Sequence, residues 1–183
     1  MTRPKRPLVF VVPGHTGRHA GATCDRTSEW AYGLRVLAEL HDRWRAADSP
    51  QWRMHGAIRR LGDTADALED LAYEADDQGA SLYLELHFNA VPAYHADADR
   101  RLAVIAKTAA PRTRRIAHAL VGEGGRVVPM ARSHSGIPFR QLYATRCSAI
   151  VYEVGNKTAL PTVAEAAEHI HTVLDALVAS GDL

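Results

Sequence analysis

The chain has 183 residues, 46% of them apolar and 23% charged, which suits one soluble globular domain with a sizeable core and excludes a fibrous or disordered chain. Lys and Arg total 22 against 21 Asp and Glu, a formal charge of +1, so an affinity built on neutralising nucleic-acid phosphates is excluded. The basic start MTRPKRP leads into an apolar run of only five residues, Leu8 to Val12, too short for a signal-peptide core. No stretch approaches the roughly 18 apolar residues of a membrane span, so neither export signal nor membrane insertion is expected.

In chain order, Leu8 to Val12 reads as a first strand, followed by the glycine-framed loop PGHTGRHAGA that contains His15. Ser28 to Trp44 places Leu34, Leu37, Leu40 and Trp44 at helical spacing, with Asp25, Thr27 or Ser28 as the cap. A weak strand follows at Met54 to Ile58. A second helix spans Thr64 to Gln78, with Ala67, Leu68, Leu71 and Ala75 on one face. Ser81 to Leu86 is a strand, and His87 to Arg100 (HFNAVPAYHADADR) reads as a loop over one end of the sheet. Further strands are expected at Leu102 to Ala106, Arg126 to Val128 and Ala149 to Tyr152. Helices are expected at Arg112 to Val121 and at Thr162 to Ala179, the latter with Val163, Ala167, Ile170, Leu174 and Leu177 facing the core. Strands alternating with helices predict an α/β layer fold, and with no linker or repeat the chain reads as a single domain over 1–183. The two cysteines, Cys24 and Cys147, are too few for a disulfide framework and lack metal-type spacing.

Three of the strands end alike. LVFVV runs into PGHTG and His15, SLYLEL runs into His87, and AIVY runs into Glu153. In α/β folds ligands sit at the carboxyl ends of the strands, so parallel pairing would gather two imidazoles and a carboxylate at one edge. Glu29, in the first turn of the helix after the glycine loop, is a fourth candidate. Taken singly, each has an ordinary alternative, a turn histidine or a helix-dipole glutamate. Jointly they offer the His and Glu set of a catalytic zinc site, which takes three protein ligands and pairs them with a separate proton-transferring carboxylate.

The order PGHTGRHAGA, SEW, LYLELHFNA and IVYEVGN resembles zinc-dependent N-acetylmuramoyl-L-alanine amidases of the amidase-3 type. That resemblance covers the chain from Leu8 to the last helix. It implies one α/β domain with a twisted, mostly parallel or mixed sheet of about six strands, flanked by helices on both faces. It also implies one zinc ion held by His15, Glu29 and His87, with Glu153 as the catalytic carboxylate. The implied reaction is hydrolysis of the amide between muramic acid and L-alanine in the peptidoglycan glycopeptide. The departures from the family pattern are Val12 before Pro13, Thr16 in place of a glycine, Phe88 in place of the HAN alanine, and EVGN as the late motif. Phe88 and Asn156 are expected to alter the walls of the site. With no export signal or separate wall-binding domain evident in the sequence, the expectation is a phage or prophage endolysin, made in the cytoplasm and acting on the wall after release.

Glu85 shares a strand face with His87. It reads either as a carboxylate that orients a metal-bound imidazole or as a solvent-facing residue on a half-buried strand. Asn89, His134 and Arg140 are further candidates for substrate contact or support. His41, His55, His118, His169 and His171 read as surface residues without a second ligand type nearby, and Arg112, Arg114 and Arg115 as a solvated helix face. Two other readings stand beside the amidase. One is a small-molecule zinc amidohydrolase of the carboxypeptidase or N-formylglutamate deformylase type, in which Arg140 or Arg146 would clamp a free carboxylate. The other is a degenerate protein that binds wall fragments without cutting them.

Overall fold

The computed structural model describes residues 5–24, 27–48, 50–57, 67–90, 101–130 and 139–183. The first apolar run forms β1 (Leu8–Pro13), buried at every position. A short antiparallel pair, β2 (Thr23–Cys24) and β3 (Thr27–Ser28), leads into helix α1 (Glu29–Ala46). Ser28 caps that helix, its hydroxyl accepting from the Ala31 N–H at 3.2 Å. Strand β4 (Arg53–Gly56), helix α2 (Ala67–Asp77), strand β5 (Leu82–Asn89) and strand β6 (Leu102–Ala106) follow. After helix α3 (Pro111–Val121) come β7 (Arg126–Met130), the short helix α4 (Gln141–Ala144), β8 (Ser148–Asn156) and helix α5 (Val163–Ala179). Thr162 and Glu165 form a reciprocal capping box at the start of α5.

The six long strands make one sheet in the order β4-β1-β5-β8-β6-β7. β4, β1, β5 and β8 are parallel, whereas β6 pairs antiparallel with β8 and parallel with β7. The sheet is therefore mixed. Because side chains alternate across a strand, β1, β5 and β8 present two apolar faces. Val9, Val11, Leu84, Leu86, Ile150 and Tyr152 join a core completed by α1, α3 and α5. Phe10, Val12, Tyr83 and Val151 join a second core with Ala72 and Ala75 of α2 and Leu142 of α4. Helices cover both faces, as the alternating pattern predicts.

Several boundaries differ from the sequence reading. The expected loop beginning at His87 starts later, because β5 continues through Asn89. β8 likewise runs past Tyr152 to Asn156. Backbone pairing with β8 carries both extensions: His87 lies opposite Glu153 and Asn89 opposite Asn156, with a register shift between them. Ile58, the start of the second predicted helix at 64–66, and residues 91–100 lie outside the described residues. Helix α4 and the β2–β3 pair have no counterpart in the sequence reading.

Asp76, near the end of α2, ties this helix to the chain entering β8. Its carboxylate accepts from the Thr145 hydroxyl at 2.5 Å, the Arg146 N–H at 2.7 Å and the Cys147 N–H at 3.2 Å. Burial alone would raise the Asp76 carboxyl, but these hydrogen bonds and the Arg146 charge outweigh it and hold the group below its ordinary value. A carboxyl depressed by folding stabilises the fold fully above its unfolded pKa, near 4, and loses that contribution as pH falls through the lower folded value. Asp76→Ala is therefore expected to cost about 1–3 kcal/mol at pH 7. Urea melts of wild type and variant should converge below about pH 4; a gap that persists at pH 2 would contradict the assignment.

Candidate metal centre and active site

The glycine loop bends the chain back immediately after β1. The Gly14 N–H donates to the Leu86 carbonyl at 2.7 Å, continuing the pairing with β5 one step past Pro13. His15 then takes a left-handed backbone, φ 63°, unusual for a residue with a side chain. Such a conformation costs about 1–3 kcal/mol and persists only where neighbours enforce it. Here Thr16 does so: its hydroxyl accepts from the His19 N–H at 3.0 Å, and its own N–H donates to the His19 carbonyl at 3.1 Å. Thr16 itself does not carry the left-handed turn, which falls on His15 and on Gly21 (φ 74°). A threonine therefore replaces a glycine there without backbone strain.

The loop closes on the start of α1. The Glu29 and Trp30 N–H groups, unsatisfied within the helix, donate to the Ala22 and Ala20 carbonyls. In return, Glu29 Oε2 accepts from the Ala22 N–H at 2.6 Å. The same oxygen lies 3.2 Å from His15 Nε2, while Oε1 lies 3.3 Å from His87 Nδ1 and 3.4 Å from the Phe88 nitrogen. Burial would raise this carboxyl, but the hydrogen bonds from His15, His87 and Ala22 outweigh it and hold Glu29 ionised, far below the ordinary range.

One donor atom from each of His15, Glu29 and His87 lies within 4.8 Å of the others, a group that could hold a metal ion and the one such group among the described residues. The two imidazoles meet edge to face, with centroids 4.8 Å apart. Two glycines make room for them. A Cβ on Gly14 would stand 2.2 Å from His87 Nε2, and one on Gly21 would stand 2.5 Å from both Glu29 Oε2 and His15 Cδ2.

Glu153 stands beside His87 because β5 and β8 are parallel and in register at that step. Burial pushes its carboxyl up to about 7; His87 and His15 pull it down, and Glu29 and Glu85 push it further up. Glu153 Oε2 is buried without a hydrogen-bond partner among the described residues. A basic, unpartnered carboxylate oxygen beside a candidate metal centre is suited to proton transfer.

Glu85 is fully buried, which overturns the solvent-facing alternative: β5 is covered on both faces. It contacts His87 Nε2 at 2.7 Å and receives the side-chain amide of Gln141 at 2.8 Å. Gln141 escaped the sequence reading because α4 is too short to show a helical period. The need for a donor to a buried Glu85 is the signal that could have pointed to it. Asn89 is buried at the end of β5, where its carbonyl accepts from the Lys157 N–H. Arg140 lies at the start of α4, half exposed and 3.7 Å from Glu69. His134 lies outside the described residues.

Phe88 corrects an expectation. Its side chain alternates to the opposite face from His87 and packs edge to face with Tyr32 in the core, so it forms no wall of the site. Asn156 is also fully buried, its Oδ1 accepting from the Thr158 N–H and hydroxyl, and thereby holds the turn after β8. His169 contacts the Leu120 carbonyl and His171 pairs with Asp175, separate structural roles on α5. Cys24 and Cys147 form no disulfide. Arg146 precedes β8, at the sheet end remote from Glu153, where it pairs with Asp76 and borders a cavity of about 610 Å³. That position removes it as a clamp for substrate at the histidine cluster.

No curated protein matches the chain. Among solved structures, an N-acetylmuramoyl-L-alanine amidase from Clostridium difficile 630 superposes with a TM-score of 0.70 at 19% identity, over 95% of this chain and 97% of that one. The amidase Ami1 from Mycobacterium smegmatis gives 0.75 at 12% identity, over 95% and 97%. The catalytic domain of the CD27L endolysin targeting Clostridia difficile gives 0.64 at 14%, over 97% of each. At these identities the likeness establishes a shared fold. The Amidase_3 family model, described as N-acetylmuramoyl-L-alanine amidase, matches residues 9–166, a span that includes all four of His15, Glu29, His87 and Glu153. On that match, the chain belongs to the Amidase_3 family of N-acetylmuramoyl-L-alanine amidases.

Proposed function

We propose that the chain hydrolyses the amide between N-acetylmuramic acid and L-alanine in peptidoglycan with one zinc ion held by His15, Glu29 and His87, and with Glu153 as the proton-transfer group. The observation that carries this reading is the convergence of those three donors beside a buried carboxylate oxygen that has no partner among the described residues. Two imidazoles and one carboxylate form a donor set that suits zinc with a coordination position left open. The Gly14 and Gly21 contacts show that the rings and the carboxylate occupy space a single methyl group would take from them.

Zinc bound by this set supplies Lewis acidity toward a substrate carbonyl and toward water. The rest of the chemistry falls to side chains of the chain. Glu153 Oε2 accepts the proton of the attacking water as its hydroxyl joins the lactyl carbonyl carbon. The same oxygen returns that proton to the alanine nitrogen as the C–N bond breaks. A carboxyl pushed up to about 7 holds the proton between the two steps. Glu29, with both oxygens engaged, keeps the two imidazoles in one arrangement before substrate arrives.

As a biological setting we favour a phage or prophage endolysin; the likeness to the CD27L catalytic domain supports it. Among the described residues no helix is long and apolar enough to cross a membrane. Lysis from within, when the chain is expressed together with a pore-forming protein, is the expected result.

Glu153→Gln should lower turnover on purified peptidoglycan by about 10²–10⁴-fold, the scale of a lost general acid–base, with one zinc per chain retained by elemental analysis. His15→Ala and His87→Ala should lose the metal. Products should carry new L-alanine amino groups without new reducing sugar ends. Hydrolysis of small amides alone would move the assignment to a small-molecule amidohydrolase, and zinc binding without any hydrolysis to a wall-binding protein.

The glycine cradle gives a separate prediction. Gly14→Ala and Gly21→Ala should each weaken zinc binding by about tenfold or more, the scale of disturbing a ligand's support. Gly79→Ala, where nothing among the described residues lies within 4 Å of the added Cβ, controls for the strain of the positive φ at Gly21. Equal zinc affinity in all three variants would show that the cradle does not shape the centre.

A further inference from the structure

We infer that Gln141 is a positioning residue: through Glu85 it fixes the ring of His87 so that Nδ1, and not Nε2, is presented to the metal. This rests on the reading of His87 as a zinc ligand. Glu85 has no exposed surface, and a carboxylate in that position must have both oxygens compensated. Oε1 meets His87 Nε2 at 2.7 Å. Oε2 receives the Gln141 amide at 2.8 Å and the Tyr83 hydroxyl at 3.4 Å. With the Gln141 amide and the Tyr83 hydroxyl both directed at Oε2, Glu85 faces its neighbours as an acceptor, and the short Oε1 contact places the ring hydrogen of His87 on Nε2. That leaves Nδ1, 3.3 Å from Glu29 Oε1, as the nitrogen that faces the donor cluster.

An imidazole backed by an anionic acceptor is locked in tautomer and orientation and becomes a more basic ligand. Gln141 extends the chain one residue further from the metal. It is itself 4% exposed, at the first position of α4, which the neighbouring Leu142 anchors in the core beneath β8 and α2. Gln141 therefore couples the placement of α4 to the aim of a ligand on β5 through its hydrogen bond to Glu85.

Zinc affinity by chelator competition, with the zinc-free melting temperature recorded for each variant, separates this from a packing role. Glu85→Gln keeps the shape and an acceptor for Nε2–H but removes the charge. Zinc affinity should fall by about 10–100-fold, while the zinc-free protein melts no lower than wild type. Gln141→Met fills similar volume and should lower affinity in the same direction, by less. Because Gln141 acts through Glu85, the double variant should bind zinc about as well as Glu85→Gln alone. Histidine ¹⁵N spectra of the zinc-loaded wild type should show His87 protonated at Nε2, a readout independent of whether any variant folds. Metal on Nε2 overturns the inference. So does wild-type affinity in Gln141→Met, or a full additional loss in the double variant, provided His87→Ala still abolishes binding. A folded wild type that binds no zinc overturns the metal reading and this inference with it.

Discussion

The site depends on one carboxylate that answers to two different parts of the chain. Glu29 is the first residue of α1, yet its oxygens reach the β1 loop through Ala22 and His15 and the end of β5 through His87 and Phe88. A buried anion with so few alternatives to these donors is costly to displace, because each lost partner leaves a charged group without compensation. Helix position, loop closure and the meeting of the two imidazoles are thus set by the same group. The favourable placement of an acid at a helix N-terminus contributes to the same end.

What Glu29 joins, the sheet has already brought close. β1, β5 and β8 are adjacent and parallel, so their carboxyl ends lie at one edge, the ordinary location of ligand sites in open α/β sheets. Pairing in register then decides which side chains become neighbours: His87 is opposite Glu153, whereas one step along either strand the side chains would point into the α1, α3 and α5 core. The antiparallel strand β6 closes the other flank, with Leu102 opposite Glu153. This places the carboxylate within the sheet and not on its rim, and the resulting loss of water raises its pKa.

Much of this was legible because chemistry and patterning coincide. His15, His87 and Glu153 each follow an apolar strand, and Glu29 lies in the first turn of the helix after the glycine loop, so strand ends and helix start single them out as candidates. The ends of the strands were less legible. His87, Phe88 and Asn89 are polar or bulky enough to read as a loop, and only hydrogen bonds to β8, a partner more than fifty residues away, make them strand. The face of Glu85 was ambiguous for a related reason: alternation says which residues share a side, but not whether helices cover that side. Phe88 shows the same rule giving the right answer when applied, since neighbouring residues on a strand cannot both line the site.

The threonine in the glycine loop illustrates how a departure from a family pattern can be absorbed without changing the site. A glycine after His15 would leave the loop more freedom before folding, and that freedom must be lost. Thr16 instead closes a four-residue turn through its hydroxyl and its N–H, both directed at His19. The unfavourable backbone falls on His15, whose ring needs that direction to reach Glu29 and His87. Strain is thereby confined to the residue whose side chain gains from it, and the position beside it is free to take a side chain that enforces the turn.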